Sequence, residues 1–155
     1  MLESDAKVTR LLAAVERRPL LPLKRLDNVA IDLLQHMPVP QPNSQSIIAA
    51  RMRLASERSK LVANRLEVAR ELALLNDARD EVEDYLSAKY RNYLDSIKNQ
   101  TNRKALINRA LQPLVKRIAA LKRSLAVVNQ VLEDFDSKAF AINGIVEGIK
   151  LGQRE

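Results

Sequence analysis

The longest segment without a helix breaker constrains the fold of this chain more than any other feature. No Pro or Gly occurs between Pro42 and Pro113, and Ser44 and Ser46, near the start of this segment, are both good N-caps. Residues 46–98 can therefore form one helix, about 80 Å long at about 1.5 Å per residue. A helix of this length is too long for an isolated globule of 155 residues and needs a partner along its length.

Two apolar stripes follow this segment. The first has 4-3-4-3 spacing, which is typical of a helix that packs along its length on another helix. Its members are Ile48, Met52, Ala55, Ser59, Val62, Leu66, Ala69 and Ala73. The second stripe comes later, at Leu72, Leu75, Val82, Leu86, Tyr90, Tyr93 and Ile97. We expect these two stripes to form the packed face of the helix.

A second long helix provides the partner. After a polar turn at 98–102, apolar residues repeat with alternating spacings of three and four, an unbroken coiled-coil heptad. They are Leu111, Leu114, Ile118, Leu121, Leu125, Val128, Leu132 and Phe135. Pro113 either kinks this helix or occupies its first turn, and apolar residues upstream of it favour the kink. The sequence therefore predicts an all-α fold, a long antiparallel helical hairpin or coiled coil that is oligomeric.

Shorter elements flank the hairpin. Residues 4–18 and 23–36 each show an amphipathic helical pattern. Three alternate prolines then predict an extended linker, and a short C-terminal helix is expected to begin after Asp136 and Ser137. We predict an N-terminal helical segment at 1–37, a Pro-rich linker at 38–45, and at 46–155 the hairpin with its C-terminal oligomerisation helix.

The excess positive charge of the chain lies in one stretch. The net charge is +7, and no Asp or Glu occurs between Asp95 and Glu133. The bases between Lys98 and Arg123 account for the whole excess. Within the heptad, Arg109, Lys116 and Arg123 fall opposite the apolar seam. Because solvated faces usually mix both signs of charge, this face predicts a surface for a polyanion.

Single-stranded nucleic acid is the more specific expectation. It is bound by a charged groove combined with aromatic side chains on which bases stack. Tyr90 and Tyr93 lie beside Lys89 and Arg91, just before the basic stretch. Their spacing also fits a continuation of the apolar stripe, so packing remains an alternative role for both tyrosines.

Several function classes lack the residues they need. The chain has no Cys and one histidine, His36, which excludes disulfides, thiolate metal sites and His-based catalysis. There is no Gly-rich phosphate loop, and the acids at 77–84 fit a solvated face. We predict no enzyme, no cofactor and no metal. Uncharged runs are too short to span a bilayer and no signal-peptide layout is present, so we expect a cytoplasmic protein with no membrane partner.

The C-terminal third resembles a known family. Ser137, Phe140, Ala141, Ile142 and Ile145 match a Ser-x-x-Phe-Ala-Ile-x-x-Ile element at the end of the UvsY-type phage recombination mediators. Upstream, Lys89 and Arg91, followed by Tyr93, match a Lys-x-Arg pattern near a tyrosine that the family ties to DNA binding. The resemblance covers roughly residues 46–151, and the segment before the Pro-rich linker has no match.

The resemblance implies a function without catalysis. It implies a homo-oligomeric ring, closed through the C-terminal region, that binds single-stranded DNA. In the host cytoplasm, the ring would help a RecA-like recombinase to replace a single-strand-binding protein. The residues expected to bind DNA are Lys89, Arg91, Tyr93, Lys98, Arg103, Lys104, Arg109, Lys116 and Arg123. The residues expected to mediate oligomerisation are Phe140, Ala141, Ile142, Ile145 and Ile149.

Two other functions stay open at this stage. A helical phage scaffold or assembly protein would use the same basic surface to dock an acidic protein partner. A peripheral membrane binder would use the N-terminal amphipathic helix, but Glu3, Asp5 and Glu16 on that helix argue against an acidic lipid surface.

Overall fold

The computed structural model describes residues 1–37, 40–41 and 43–153. The elements in this part of the chain are all helical, which confirms the predicted all-α class. They are a 3₁₀ turn at Leu2–Ser4, α1 Ala6–Arg17, α2 Leu23–Gln35, α3 Ser44–Lys89, α4 Arg91–Asp95, α5 Gln100–Ala110 and α6 Gln112–Gly152. None of these helices combines the length and the apolar character needed to cross a membrane.

The chain forms two compact units, each built from segments that are distant in sequence. Unit 1 contains Met1–Leu21 and Ala69–Lys122, and unit 2 contains Pro22–Val68 and Arg123–Glu155. The core of unit 1 is built mainly around Val8, Leu86 and Leu111, and that of unit 2 around Leu61, Val128 and Phe135. Both units combine residues from the first and the third predicted segment. The division into three segments stays a prediction.

The start of α3 differs from the prediction. The side chain of Asn43 accepts a hydrogen bond from the backbone N–H of Ser46 at 2.8 Å, so Asn43 is the N-cap rather than Ser44 or Ser46. The Ser46 hydroxyl instead accepts the backbone N–H of Gln41 at 2.9 Å. Of the predicted linker at 38–45, positions 38, 39 and 42 lie outside the described residues.

The buried seam of α3 lies one residue away from the first predicted stripe. In unit 2 its first heptad position is Ile47, Leu54, Leu61 and Val68, which recur every seven residues, and Ala50 is buried at the second position. Ile48, Met52 and Leu66 of the predicted stripe are exposed, so this stripe was wrongly assigned to the packed face. The second predicted stripe is largely correct, since Leu75, Val82 and Leu86 are buried in unit 1.

Two local breaks interrupt the long helical stretches. We predicted a single helix at 46–98, but α3 ends at Lys89, and Tyr90 (φ −105°, ψ 27°) separates it from α4. Leu111 (φ −100°, ψ 18°) likewise separates α5 from α6. Pro113 is the second residue of α6. The proline therefore occupies a first helical turn, where its missing N–H costs nothing.

The predicted apolar seam at 111–135, which begins one residue before α6, is confirmed. Seven of its eight apolar residues are buried, and Leu125 is half-buried. The separate C-terminal helix was wrong, because α6 continues without a break to Gly152. The predicted caps have other roles: Asp136 accepts a hydrogen bond from Arg58 at 2.8 Å, and the Ser137 hydroxyl donates to the carbonyl of Glu133.

The burial pattern of α3 predicts different costs for two adjacent leucines in unit 1. Leu75 is 1% exposed and Leu74 is 45% exposed. We expect Leu75→Ala to lower the free energy of unfolding by about 2–5 kcal/mol, because it removes buried methyl groups and leaves a cavity. Leu74→Ala should cost less than about 1 kcal/mol. Urea denaturation of both variants measures the difference, and equal costs would contradict the assigned seam.

Candidate nucleic-acid interface

The N-terminal segment is anchored in unit 1 by one buried carboxylate. Asp5 is the N-cap of α1, and its side chain accepts the backbone N–H groups of Lys7 at 2.8 Å and Val8 at 3.4 Å. The same carboxylate accepts hydrogen bonds from Lys89 Nζ at 2.6 Å and from the Tyr90 hydroxyl at 2.8 Å. This side chain is 0% exposed, so its charge is balanced locally rather than by water.

The other end of α1 is held by a second set of polar contacts. Arg18 donates two hydrogen bonds to the Glu71 carboxylate, at 3.0 and 2.7 Å. Arg117 donates to the backbone carbonyls of Val15 and Arg18. A cation on the last carbonyls of a helix is favourable, because these groups have no partner within the helix. Arg117, a member of the basic stretch, therefore stabilises the docking of α1.

These contacts shift the pKa values of the groups involved. The hydrogen bond from Lys89 holds the pKa of Asp5 well below its usual range, and Tyr90 and two backbone N–H groups act in the same direction. The same hydrogen bond raises the pKa of Lys89. A hydrogen bond from Arg18 lowers the pKa of Glu71. In each pair the charged forms stabilise one another.

Four of the cations predicted to bind DNA lie beside carboxylates of the same chain. Lys89 binds Asp5, and Arg109 lies 3.2 Å from Glu3. Arg103 and Arg91 lie 3.3 and 3.9 Å from Asp95. The guanidinium of Arg103 also donates to the carbonyl of Ile97 at 2.7 Å, which closes the turn between α4 and α5. The structure thus gives Lys89 and Arg103 structural roles that the sequence analysis missed.

The lysines of the basic stretch differ from these four cations in their contacts. Lys98, Lys104, Lys116 and Lys122 are all exposed side chains of unit 1. Within the described ranges, no carboxylate lies within 4.0 Å of any of them. Arg123 is likewise exposed in unit 2. In each unit, these residues are the cations of the basic stretch that retain uncompensated charge.

Of the two tyrosines considered for stacking, one has a structural contact within unit 1. Tyr90 is half-buried and its hydroxyl binds Asp5. Tyr93 on α4 is exposed. Tyr85, which the sequence analysis did not single out, lies beneath two cations, with Lys7 Nζ at 4.7 Å and Lys89 Nζ at 5.4 Å from its ring centroid. Tyr93 is therefore the better placed of the two to meet a base.

The residues predicted to mediate oligomerisation are also divided. Ile142 is buried in the core of unit 2, and Ile149 packs partly against that core. Phe140, Ala141 and Ile145 are exposed on α6. Ile142 thus stabilises the fold of its own chain, and the three exposed residues remain available to another copy.

Clusters of potential metal ligands and cavities are two further features of the described residues. They contain no group of three His, Cys, Asp or Glu side chains that could hold a metal ion. A cavity of about 190 Å³ in unit 2 is lined mainly by apolar groups, including Leu54, Phe135 and Ile142. Arg51 and Arg58, which also line it, donate to Asn143 and Asp136. The absence of an enzymatic activity stays a prediction.

Comparison of this chain with protein-family models, with curated proteins and with solved structures found no match. The functional inference therefore rests on the side chains described above. The family resemblance of the C-terminal third stays a prediction.

The Asp5 contacts predict a loss of stability in acid. A lowered pKa in the folded state stabilises the protein above the unfolded-state pKa, about 3.9 for Asp, and this contribution is lost as the pH falls below that value. We expect Asp5→Asn to lower stability at pH 7 and to reduce its decrease between pH 6 and pH 3. Urea unfolding at several pH values measures this, with Asp84→Asn, an exposed carboxylate, as the control. An unchanged pH dependence in Asp5→Asn would contradict the assignment.

Variants of two neighbouring cations distinguish a structural role from a binding role. Lys89→Ala leaves the Asp5 carboxylate buried without its cation, so we expect a clearly lower urea midpoint. Arg91→Ala should leave the midpoint unchanged, since the Arg91 side chain is 80% exposed and its ion pair is long. Equal midpoints for the two variants would show that the Asp5–Lys89 contact does not stabilise unit 1.

Proposed function

We propose that this protein binds single-stranded DNA through the basic face of unit 1 and acts as a recombination mediator in the cytoplasm. The observation that carries the proposal is the set of exposed lysines without carboxylate partners in a stretch that has no acid. Lysines on such a surface attract phosphates from any direction, and they add affinity without reading sequence. The mediator role, with a RecA-like recombinase and a single-strand-binding protein as partners, rests on the resemblance to the UvsY-type family.

The start of α5 adds to the attraction for phosphate. Asn99 caps this helix by accepting the backbone N–H of Thr101 at 2.8 Å, and the first turn contains no acid. The N-terminal end of a helix carries partial positive charge. Lys98 precedes the cap, and Lys104 lies one turn after it. A phosphate near this end would relieve the repulsion between the helix dipole and these cations.

Tyr93 and Arg91 offer a contact to a base beside this surface. Both lie on the short helix α4 and are exposed. The long Arg91–Asp95 distance of 3.9 Å makes this ion pair easy to replace. Stacking of a base on a tyrosine contributes about 1–3 kcal/mol and depends little on sequence. Lys89 is left out of the proposed contacts because Asp5 already binds it.

We also propose that α3 and α6 form an antiparallel hairpin and that the chain is oligomeric. In unit 2, Arg58 contacts Asp136 and Arg51 contacts Asn143. Arg51 precedes Arg58 by seven residues on α3, whereas Asn143 follows Asp136 by seven residues on α6. Antiparallel helices require this opposite order. Exposed Phe140 and Ile145 are the residues through which a C-terminal interface would form a ring.

The second candidate function is a helical phage scaffold or assembly protein. The specific observation in its favour is that Lys89, Arg103 and Arg109 all contact carboxylates. Cations in and just before the basic stretch thus fit carboxylate partners, and an acidic protein could contact the exposed lysines in the same way. Binding of oligo(dT) separates the two functions, because a scaffold should show none.

Removal of three lysines tests the DNA interface. We expect the variant Lys98→Ala/Lys104→Ala/Lys116→Ala to bind oligo(dT) more weakly. Each phosphate contact contributes about −0.7 to the slope of log affinity against log salt for single strands. Loss of three contacts should therefore make the slope shallower by about 2. Fluorescence anisotropy between low and moderate salt measures both quantities.

A matched variant controls for net charge. Lys24, Lys60 and Lys150 are exposed lysines of unit 2, and their replacement by Ala lowers the net charge by the same amount. This control should bind oligo(dT) nearly as tightly as the wild type and with the same salt slope. Equal losses in the two triple variants would show that only overall charge matters, and no binding by the wild type would leave the scaffold function.

A further inference from the structure

One carboxylate of the N-terminal segment lies on the acid-free basic stretch. Glu3 belongs to the 3₁₀ turn Leu2–Ser4, which packs against α5 in unit 1. Its carboxylate lies 3.2 Å from the guanidinium of Arg109, in the last turn of α5. Between Asp95 and Glu133 the sequence has no acid. The contact therefore brings a negative charge to a helix that has none of its own.

The backbone around Glu3 is held in place from both sides. Leu2 is 5% exposed and belongs to the apolar core of unit 1, and the Asp5 carboxylate is 0% exposed. The backbone N–H of Asp5 donates to the carbonyl of Leu2 at 3.2 Å, and the Ser4 hydroxyl donates to the carbonyl of Met1 at 3.0 Å. Because the fold has already ordered this backbone, only the Glu3 side chain loses freedom when the ion pair forms.

The Glu3–Arg109 pair is easier to open than the other ion pair of this segment with the predicted DNA-binding cations. The Arg109 and Glu3 side chains are 76% and 57% exposed, so both can rotate into water, and an exposed pair contributes little stability. The Asp5–Lys89 pair differs, because its carboxylate is buried. Its separation would also move α1, whose Val8 is 0% exposed, and exposure of such side chains is costly.

A DNA strand on the exposed lysines would bring phosphates close to Arg109. Lys104 lies on the same helix, about 7.5 Å before Arg109 along its axis. A guanidinium forms charge-assisted hydrogen bonds with phosphate as well as with carboxylate. A strand that the lysines already hold offers its further phosphates at a high effective concentration, which favours the exchange of carboxylate for phosphate.

We propose that Glu3 is an autoinhibitory carboxylate. It occupies Arg109 in the free protein, and a phosphate takes its place when single-stranded DNA binds to the basic face of unit 1. The inference rests on the proposed function, and it places Arg109 among the residues that contact bound DNA. Because the ion pair must open first, Glu3 lowers the affinity for DNA and moderates binding of weaker polyanions to the same face.

The affinity for oligo(dT) gives the first test. We expect Glu3→Gln to bind about two- to fivefold more tightly than the wild type, since an exposed ion pair no longer has to open. Glu16→Gln is the matched control and removes the same charge. Glu16 is an exposed residue of α1 in the same unit and forms no ion pair with the described residues. This control should change affinity less than about 1.5-fold, because salt screens distant charges.

A double-mutant cycle with Arg109 gives the second test. If Glu3 acts on Arg109, Glu3→Gln/Arg109→Ala should bind no more tightly than Arg109→Ala alone. The loss caused by Arg109→Ala should also be larger in the Glu3→Gln background than in the wild type. Fluorescence anisotropy at constant salt measures all four affinities. Urea midpoints check the fold, and we expect them to be unchanged because both side chains are exposed.

Two results would overturn the autoinhibitory role alone. One is equal affinities of Glu3→Gln and Glu16→Gln, which would show that Glu3 acts only through overall charge. The other is a gain in Glu3→Gln that persists without Arg109. Binding by the wild type, with a loss in the triple lysine variant, would leave the proposed function intact in either case. Absence of binding by the wild type and by Glu3→Gln would overturn both proposals.

Discussion

Burial of one seam along α3 is the constraint on which the rest of the structure depends. In unit 2 the seam is formed by Ile47, Leu54, Leu61 and Val68, and in unit 1 by residues from Leu75 onward. A helix of 46 residues cannot stay ordered through local propensity alone, because helices derive most of their stability from the burial of an apolar face. The contacts of this seam therefore determine which faces of α3 remain outside.

Within unit 1, Asp5 determines which cations remain available. The buried carboxylate needs a cation, and Lys89 supplies it together with the Tyr90 hydroxyl. This contact fixes α1 against the long helix and removes Lys89 from the exposed surface charge. The lysines beyond α4 have no such role. The candidate interface therefore consists of those cations of the basic stretch that do not pair with carboxylates of the same chain.

The sequence was sufficient for the all-helical class and for the apolar seam at 111–135. All eight positions of that seam are apolar, so its 3-4 spacing has only one interpretation. On α3 two stripes compete, and the buried seam contains Glu57, Asn64 and Glu71 at its second heptad position, all half-buried. These polar residues made the true seam look solvated, whereas the exposed stripe is free of charge. Periodicity finds both stripes but does not show which one the chain itself covers.

Contacts between distant residues were beyond the sequence analysis for a related reason. Asp5 and Lys89 are 84 positions apart, and local spacing gives no sign that they meet. The only local signal was the Asp at the start of an amphipathic helix, which indicates an N-cap. An N-cap carboxylate that is also buried next to a lysine follows from tertiary packing. The charge count of the basic stretch was therefore correct, but its division into structural and free cations needed the fold.

Charge and apolar surface act in opposite directions on the assembly of this protein. A net charge of +7 makes copies repel one another, and salt weakens this repulsion between exposed groups. The same salt weakens contacts to phosphates. On the proposed function, DNA bound to the exposed lysines neutralises the charge that opposes association of one copy with the next. Linkage then requires that association strengthen DNA binding by the same factor.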